Sequence, residues 1–322
     1  MTSHDFAPHT SDPVDVLVIG GGAAGLSAAV CLARSRRSVL VVDEGRPRNA
    51  PAEGVHNLLG HEGVSPLALL RRGRADLASY GGRVREATVV DLRGAKGDFT
   101  ATVDDGASVR ARRVVLAGGV VDRLPDVPGL AERWGRDVLH CPYCHGWEVR
   151  DRRIGVLAGA MMPTHQAQLF RQLSADVTLF RQGQPLTDEE QRALEARGVR
   201  VVDDEVVGLD VRDDRLAGVV LASGQTVPVD ALAVQTRLAV RADAAVRLGV
   251  TVEEMPFGTQ VTTDARGETT VPGVWAAGNV AQPMAQVGAS AAQGTQVGAV
   301  LNYDLIEDEI ASALDDADRQ SA

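Results

Sequence analysis

Aromatic residues make up only 3% of this 322-residue chain, so its cores must be built from Val, Leu, Ala and Ile. Lysine is nearly missing: Lys96 is the only one, and arginine supplies the rest of the 33 basic residues. Those bases are outnumbered by 43 acids, for a net charge of −10, which argues against a nucleic-acid or anionic-membrane partner. There is no run of about 20 apolar residues, so nothing is expected to span a membrane. The segment from Met1 to Pro13 (MTSHDFAPHTSDP) lacks the basic start, apolar run and small-residue cleavage site of an export signal. It reads as a flexible tail, and a cytoplasmic location is expected. Three cysteines, Cys31, Cys141 and Cys144, are too few for a structural disulfide framework. The spacing of the last two therefore needs another explanation.

The chain is otherwise ordinary in its 44% apolar and 24% charged content, which excludes wholesale disorder. Its length fits about two domains. The near-continuous apolar run Val14–Ile19 reads as a buried parallel strand. It enters Gly20-Gly21-Gly22-Ala23-Ala24-Gly25, then a helix over 26–35, then a strand over 38–42 that ends at Asp43-Glu44. After a loop (45–63) and a helix (66–80), short strands are expected at 84–92, 99–103, 109–110 and 114–117. A second βαβ unit is expected from a strand over 154–157, a helix over 164–173 and a strand over 177–180. A helix (188–196), a strand (199–202) and a meander to residue 234 follow. A strand at 274–277 and a helix over 285–314 end the pattern. The fold class expected is α/β, with two Rossmann-like dinucleotide-binding domains, the second inserted into the first. The boundaries expected are a tail at 1–13, a discontinuous first domain (14–119 plus 245–314), an inserted domain (120–244) and a polar tail (315–322).

Gly20, Gly22 and Gly25 form G-x-G-x-x-G between a strand and a helix. The first glycine permits a tight turn, the second lets backbone approach a pyrophosphate, and the third lets helix and strand pack closely. The helix N-terminus offers N–H groups to the phosphates. Asp43, at the end of the second strand, is placed to hold ribose hydroxyls. The pattern alone leaves FAD and NAD open.

Cys141-Pro142-Tyr143-Cys144 is C-x-x-C, a redox dithiol or half of a zinc site. A structural zinc needs about four ligands, and no second ligand cluster is visible, so the redox reading is favoured and no metal is expected. The thiolate is the reactive form, so a proton acceptor is needed. His145, next to Cys144, is the first candidate and His140 the second.

G-x-G-x-x-G near the start, C-x-x-C in the middle and Ala276-Ala277-Gly278-Asn279-Val280 near the end resemble low-molecular-weight thioredoxin reductases. The likeness covers about residues 14–305. Val55-His56-Asn57-Leu58-Leu59-Gly60 is similar to that family's flavin-contacting loop. The resemblance implies FAD, a homodimer, Cys144 facing the flavin and Cys141 meeting the substrate. It implies cofactor contacts at Gly20, Gly22, Ala23, Ala24, Gly25, Asp43, Glu44, Arg48, Asn49, Asn57, Gly118, Gly278, Asn279, Gln286 and Val287. Two departures stand out: His145 and Asn279 replace the aspartates usual in that family.

The second glycine loop is damaged. It reads Leu157-Ala158-Gly159-Ala160-Met161-Met162-Pro163, with alanine at both outer glycine positions, where a methyl group obstructs backbone approach to a pyrophosphate. Met161 and Met162 can fill the groove. Of the basic clamp for a 2′-phosphate only Arg181 is left. Without NADPH, electrons are expected to come from a dithiol, and dioxygen can then reoxidise the flavin to give hydrogen peroxide. That resembles the thioredoxin reductase-like dithiol oxidases acting on gliotoxin, holomycin and related small dithiol natural products. An NADPH- or ferredoxin-dependent disulfide reductase is the alternative.

Overall fold

The computed structural model describes residues 13–159 and 163–321. Its first sheet has seven strands. Val14–Ile19 lies at its centre, parallel to Val39–Asp43 on one side and to Ser108–Leu116 on the other. Arg83–Glu86 extends one edge, Val274–Ala276 joins Ser108–Leu116 in parallel, and Asp98–Val103 with Val89–Ala95 form an antiparallel flap. Apolar clusters cover both faces, one around Leu17, Phe99 and Val114, the other around Val16, Leu32, Trp275 and Leu301. Burial on both faces is why these strands read as continuous apolar runs.

The second sheet is five-stranded and wholly parallel, in the order Arg200–Val202, Val177–Phe180, Ile154–Leu157, Ala231–Val234, Val138–Leu139. The chain crosses between the two sheets twice. The crossings, Val120–Arg123 and Arg237–Val240, pair with each other as an antiparallel ribbon. The architecture is the doubly wound α/β arrangement with one nucleotide-type domain inserted in another. Ala242 and Ala245 already pack in the first domain's core, so the return crossing lies several residues before position 245.

Some elements differ from their sequence-based expectations. The strands expected at 109–110 and 114–117 are one strand, Ser108–Leu116. Arg112 and Arg113 looked like an interruption, but Arg113 is fully buried and bonded to Asp304 (2.5 Å) and Asp308. The span 84–92 splits into Arg83–Glu86 and Val89–Ala95. The first helix begins at Ala23, directly after the glycine turn. The last helix runs from Val287 to Ser321, so the described part of the expected polar tail is helical, with its side chains exposed. Among the described residues no helix is long and apolar enough to cross a membrane. Residues 1–12 of the expected N-terminal tail lie outside the described residues.

Candidate active site

The first glycine turn has the shape a dinucleotide needs. Gly20 has φ +107°, and a Cβ there would lie 2.4 Å from the Ala117 carbonyl oxygen, so no other residue fits without a shift. A Cβ on Gly25 would strike the Gly20 carbonyl at 1.9 Å, which brings the helix hard against the strand. At Gly22 a Cβ would meet nothing within 4 Å. Gly22 is also the N-cap of the helix Ala23–Arg34, and no side chain caps it. An open backbone approach beside an uncapped helix start fits a pyrophosphate, and Ala23 and Ala24 line the same space.

The carboxylates after the second strand divide the work. Asp43 accepts the Gly21 N–H (2.9 Å) and pairs with Arg74 (2.5 Å), so it is committed to holding the glycine turn. Glu44 lines the cleft and is met by Arg46 (2.7 Å) and Arg241. Both carboxylates line the cleft, and each already holds two partners.

This cradle opens into a cleft of about 1410 Å³ that reaches the dithiol in the other domain. Asn49, Gly118, Gly278, Asn279, Gln286 and Val287 line it with Cys141, Cys144, His140 and His145. The Asn279 side-chain amide donates to the carbonyls of Gln282, Pro283 and Ala285 (2.8–3.1 Å). An aspartate cannot donate to three carbonyls, which explains asparagine at this position. Gly278 (φ +77°) donates its N–H to Gln293.

The cysteines sit on one helical turn, Pro142–His145, with Cys141 at its N-cap. Both are thiols. Cys141 is brought down to about 7, first by the Cys144 S–H hydrogen bond, then by the N–H groups of Cys144 and Tyr143 and the charge of Arg48. Cys144 is pushed up, because it supplies that hydrogen bond and is desolvated beside a forming thiolate. Cys141 is thus the nucleophile of the reduced pair. Burial pushes His145 below the ordinary histidine value, outweighing Glu148 and Glu53, which act the other way. His145 is consequently neutral and able to accept a proton at pH 7. His140 donates Nδ1–H to the Val234 carbonyl (2.9 Å), which leaves Nε2 as its acceptor.

Several contacts tie the dithiol turn to the first domain, and these were not visible in the sequence. The Asn57 amide donates to the Tyr143 carbonyl (2.7 Å). Asn57, expected at the flavin, holds the dithiol turn through this bond. The Gln286 amide reaches Cys144 Sγ at 3.9 Å. His56 lies between Glu62 (2.6 Å) and Glu148 (3.5 Å). Arg48 grips Asp122 with two bonds (2.6 and 2.7 Å), and Asp122 also accepts the Thr236 hydroxyl (2.7 Å). Burial pushes the Asp122 carboxyl up, but Arg48 and Thr236 outweigh it and hold the group low. Asp122 and Thr236 carried no motif. The only cue was their place at the two domain crossings.

The second glycine loop is different. At its middle position it is nonetheless alike: a Cβ on Gly159 would fall 2.6 Å from the Gln235 side chain, as one on its counterpart Gly21 would fall 2.8 Å from Asp43, and Gly159 lines the same cleft. Ala158 is buried. Ala160, Met161 and Met162 lie outside the described residues. Arg181 pairs with Asp203 (3.2 Å). Asp203 follows the strand Arg200–Val202 at the carboxyl end of a parallel sheet, a position where ligands bind, and that cue was present in the sequence.

Comparison with known proteins agrees with this geometry. The model of the family "Pyridine nucleotide-disulphide oxidoreductase" matches residues 14–294. The chain is 33% identical to the thioredoxin reductase sirT of Leptosphaeria maculans, over 92% of this chain and 96% of that protein. It is 32% identical to the thioredoxin reductase tcpT of Claviceps purpurea, over 93% and 96%. Among solved structures, HlmI superposes with a TM-score of 0.90 at 45% identity, covering 96% of this chain and 98% of that one. The chain belongs to the pyridine nucleotide-disulphide oxidoreductase family and is a thioredoxin reductase-like oxidoreductase.

Proposed function

We propose that the protein is an FAD-dependent dithiol oxidase: it closes an intramolecular disulfide in a small dithiol natural product and passes the electrons to dioxygen. The observation that carries this reading is the contrast between an intact first cradle with a reactive dithiol and a second nucleotide loop that has alanine at both outer glycine positions and Asp203 paired with its Arg181. A carboxylate paired with Arg181, the one basic clamp residue, repels a 2′-phosphate.

In the oxidised pair, Cys141 accepts attack by a substrate thiolate. Its sulfur sits at the start of the helical turn, where N–H groups stabilise developing negative charge. Cys144 leaves as the second sulfur, facing Gln286 of the first domain. His145 accepts the proton of the second substrate thiol, which then attacks its partner sulfur and frees Cys141. One S–S bond forms in the substrate and two S–H bonds are lost. Two electrons enter the Cys141–Cys144 pair. Gly20, Gly22, Gly25, Glu44 and Asn279 would hold FAD, which would supply a two-electron acceptor open to reoxidation by dioxygen with hydrogen peroxide as the product. The protein acts in this reading as a homodimer, supported by its likeness to thioredoxin reductases.

The test is to mix the yellow protein anaerobically with NADPH, then with a small dithiol, and to follow flavin absorbance. The flavin is expected to stay oxidised with NADPH and to bleach with the dithiol. Rapid bleaching by NADPH makes the protein a disulfide reductase instead. Cys144→Ser keeps its FAD and loses dithiol-driven bleaching.

A further inference from the structure

Cys144 has a problem that its own turn does not solve. The N–H groups of the helical turn serve Cys141, at its start. Cys144 lies near the other end, is partly desolvated, and faces the negative charge that Cys141 acquires. Yet the reading above needs Cys144 as a thiolate toward the flavin. Two groups outside the turn act in its favour. One is the charge of Arg48, itself neutralised in part by its double bond to Asp122. The other is the Gln286 side-chain amide, whose Nε2 lies 3.9 Å from the sulfur, within reach for the weak hydrogen bonds that sulfur accepts.

We infer that Gln286 is a positioning residue for Cys144: its amide N–H holds the departing sulfur as a thiolate against the first domain. The inference rests on Cys144 being the flavin-facing cysteine. Gln286 directly precedes the long helix Val287–Ser321, so it belongs to the flavin domain while Cys144 belongs to the inserted one. Cys144 therefore gains its donor only when the two domains are docked as they are here. That arrangement is itself held by Asn57 on the Tyr143 carbonyl and by Arg48 on Asp122. The remaining charged groups near the turn, His56, Glu53, Glu148 and Arg152, act on His145.

The experiment uses the FAD-loaded Cys141→Ser protein, in which Cys144 titrates alone. Its thiolate next to oxidised flavin gives a long-wavelength charge-transfer absorbance, whose pH midpoint reads the thiol's proton affinity. A second measurement, the pH dependence of Cys144 alkylation by iodoacetamide, gives the same midpoint without relying on that band. Adding Gln286→Leu is expected to raise both midpoints by about 1, tenfold in proton affinity. Gln286→Glu, which keeps the length but brings a negative charge, is expected to raise them further. Unmoved midpoints with flavin still bound overturn the inference. A Cys141→Ser protein with Gln286 intact that shows no charge-transfer band at any pH overturns the assignment of Cys144 in the preceding section, a separate failure. Should Gln286→Leu lose flavin, Gln286→Met in the same background provides the apolar comparison.

Discussion

The two βαβ units of this molecule are built alike and have diverged in opposite directions. In the first, the strand Val14–Ile19 leads to Gly20, Gly22 and Gly25, and Asp43 closes the unit by accepting the Gly21 N–H. In the second, Ile154–Leu157 leads at the same spacing to Ala158, Ala160 and Pro163, and the place of Asp43 is taken by Arg181, which turns to Asp203. The strands of both units are largely buried, those of the second throughout. What separates them is the residue at the turn: glycine at 22, where a Cβ would meet nothing within 4 Å, against alanine at 160. A nucleotide fold thus keeps its sheet, its helices and its packing where the outer glycines of its turn have been replaced. The strands answer to burial, and the turn answers to the ligand.

The largest effect is expected from putting bulk into the intact turn. Gly20→Val adds strain of about 1–3 kcal/mol at a positive φ and drives a methyl group into the Ala117 carbonyl. The protein should purify without flavin, read as the ratio of visible to ultraviolet absorbance. Retention of full flavin would mean that the first turn is as tolerant as the second, and the contrast fails. Next comes the chemistry that the inserted domain has kept. His145→Ala should slow dithiol oxidation by about 100-fold. Because burial lowers this histidine, it is neutral above its own depressed value and protonated only below it. The acid limb of the wild-type rate profile should therefore fall below pH 6.5, the usual histidine value, and should vanish in the variant.

Asn279→Asp sets a carboxylate against three carbonyl oxygens in the flavin domain. A cost of about 2 kcal/mol should appear as a roughly 30-fold loss of FAD affinity, measured by titrating the apoprotein. The smallest effect is expected in the second unit. Asp203→Asn removes the carboxylate facing Arg181, an exposed pair worth about 0.2–1 kcal/mol. NADPH binding should improve by less than about fivefold, since the sequence still has alanine at both outer glycine positions, 158 and 160. Restoration of rapid flavin bleaching by this one change would show that charge alone had silenced the site.

The sequence was most readable where a residue's environment is set by its neighbours in the chain. Val14–Ile19, Ile154–Leu157, Val177–Phe180 and Asp188–Ala196 fall where periodicity put them, because uninterrupted burial or a capping box with Thr187 and Glu190 defines them locally. The strand Ser108–Leu116 was misread because Arg113 finds Asp304 and Asp308 only through the fold. The candidate site divides in the same way. Cys141, Cys144, His145 and the glycine turn announced themselves by spacing. Asp122, Thr236, Arg241 and the bond from Asn57 to the Tyr143 carbonyl did not, since each joins segments far apart in the chain.

The antiparallel ribbon of Val120–Arg123 and Arg237–Val240 also has a mechanical meaning. It is the covalent route between the two sheets, so any swivel of one domain on the other is a torsion of this ribbon. Arg48 clasps Asp122 in one of its strands, while Asp122 holds Thr236 at the entrance to the other. The clasp acts as a detent on a hinge: the ribbon turns freely only after the bidentate grip has been released. In the proposed reading the dithiol has no second nucleotide to travel to, and such a stop then keeps the two domains in one pose through the catalytic cycle.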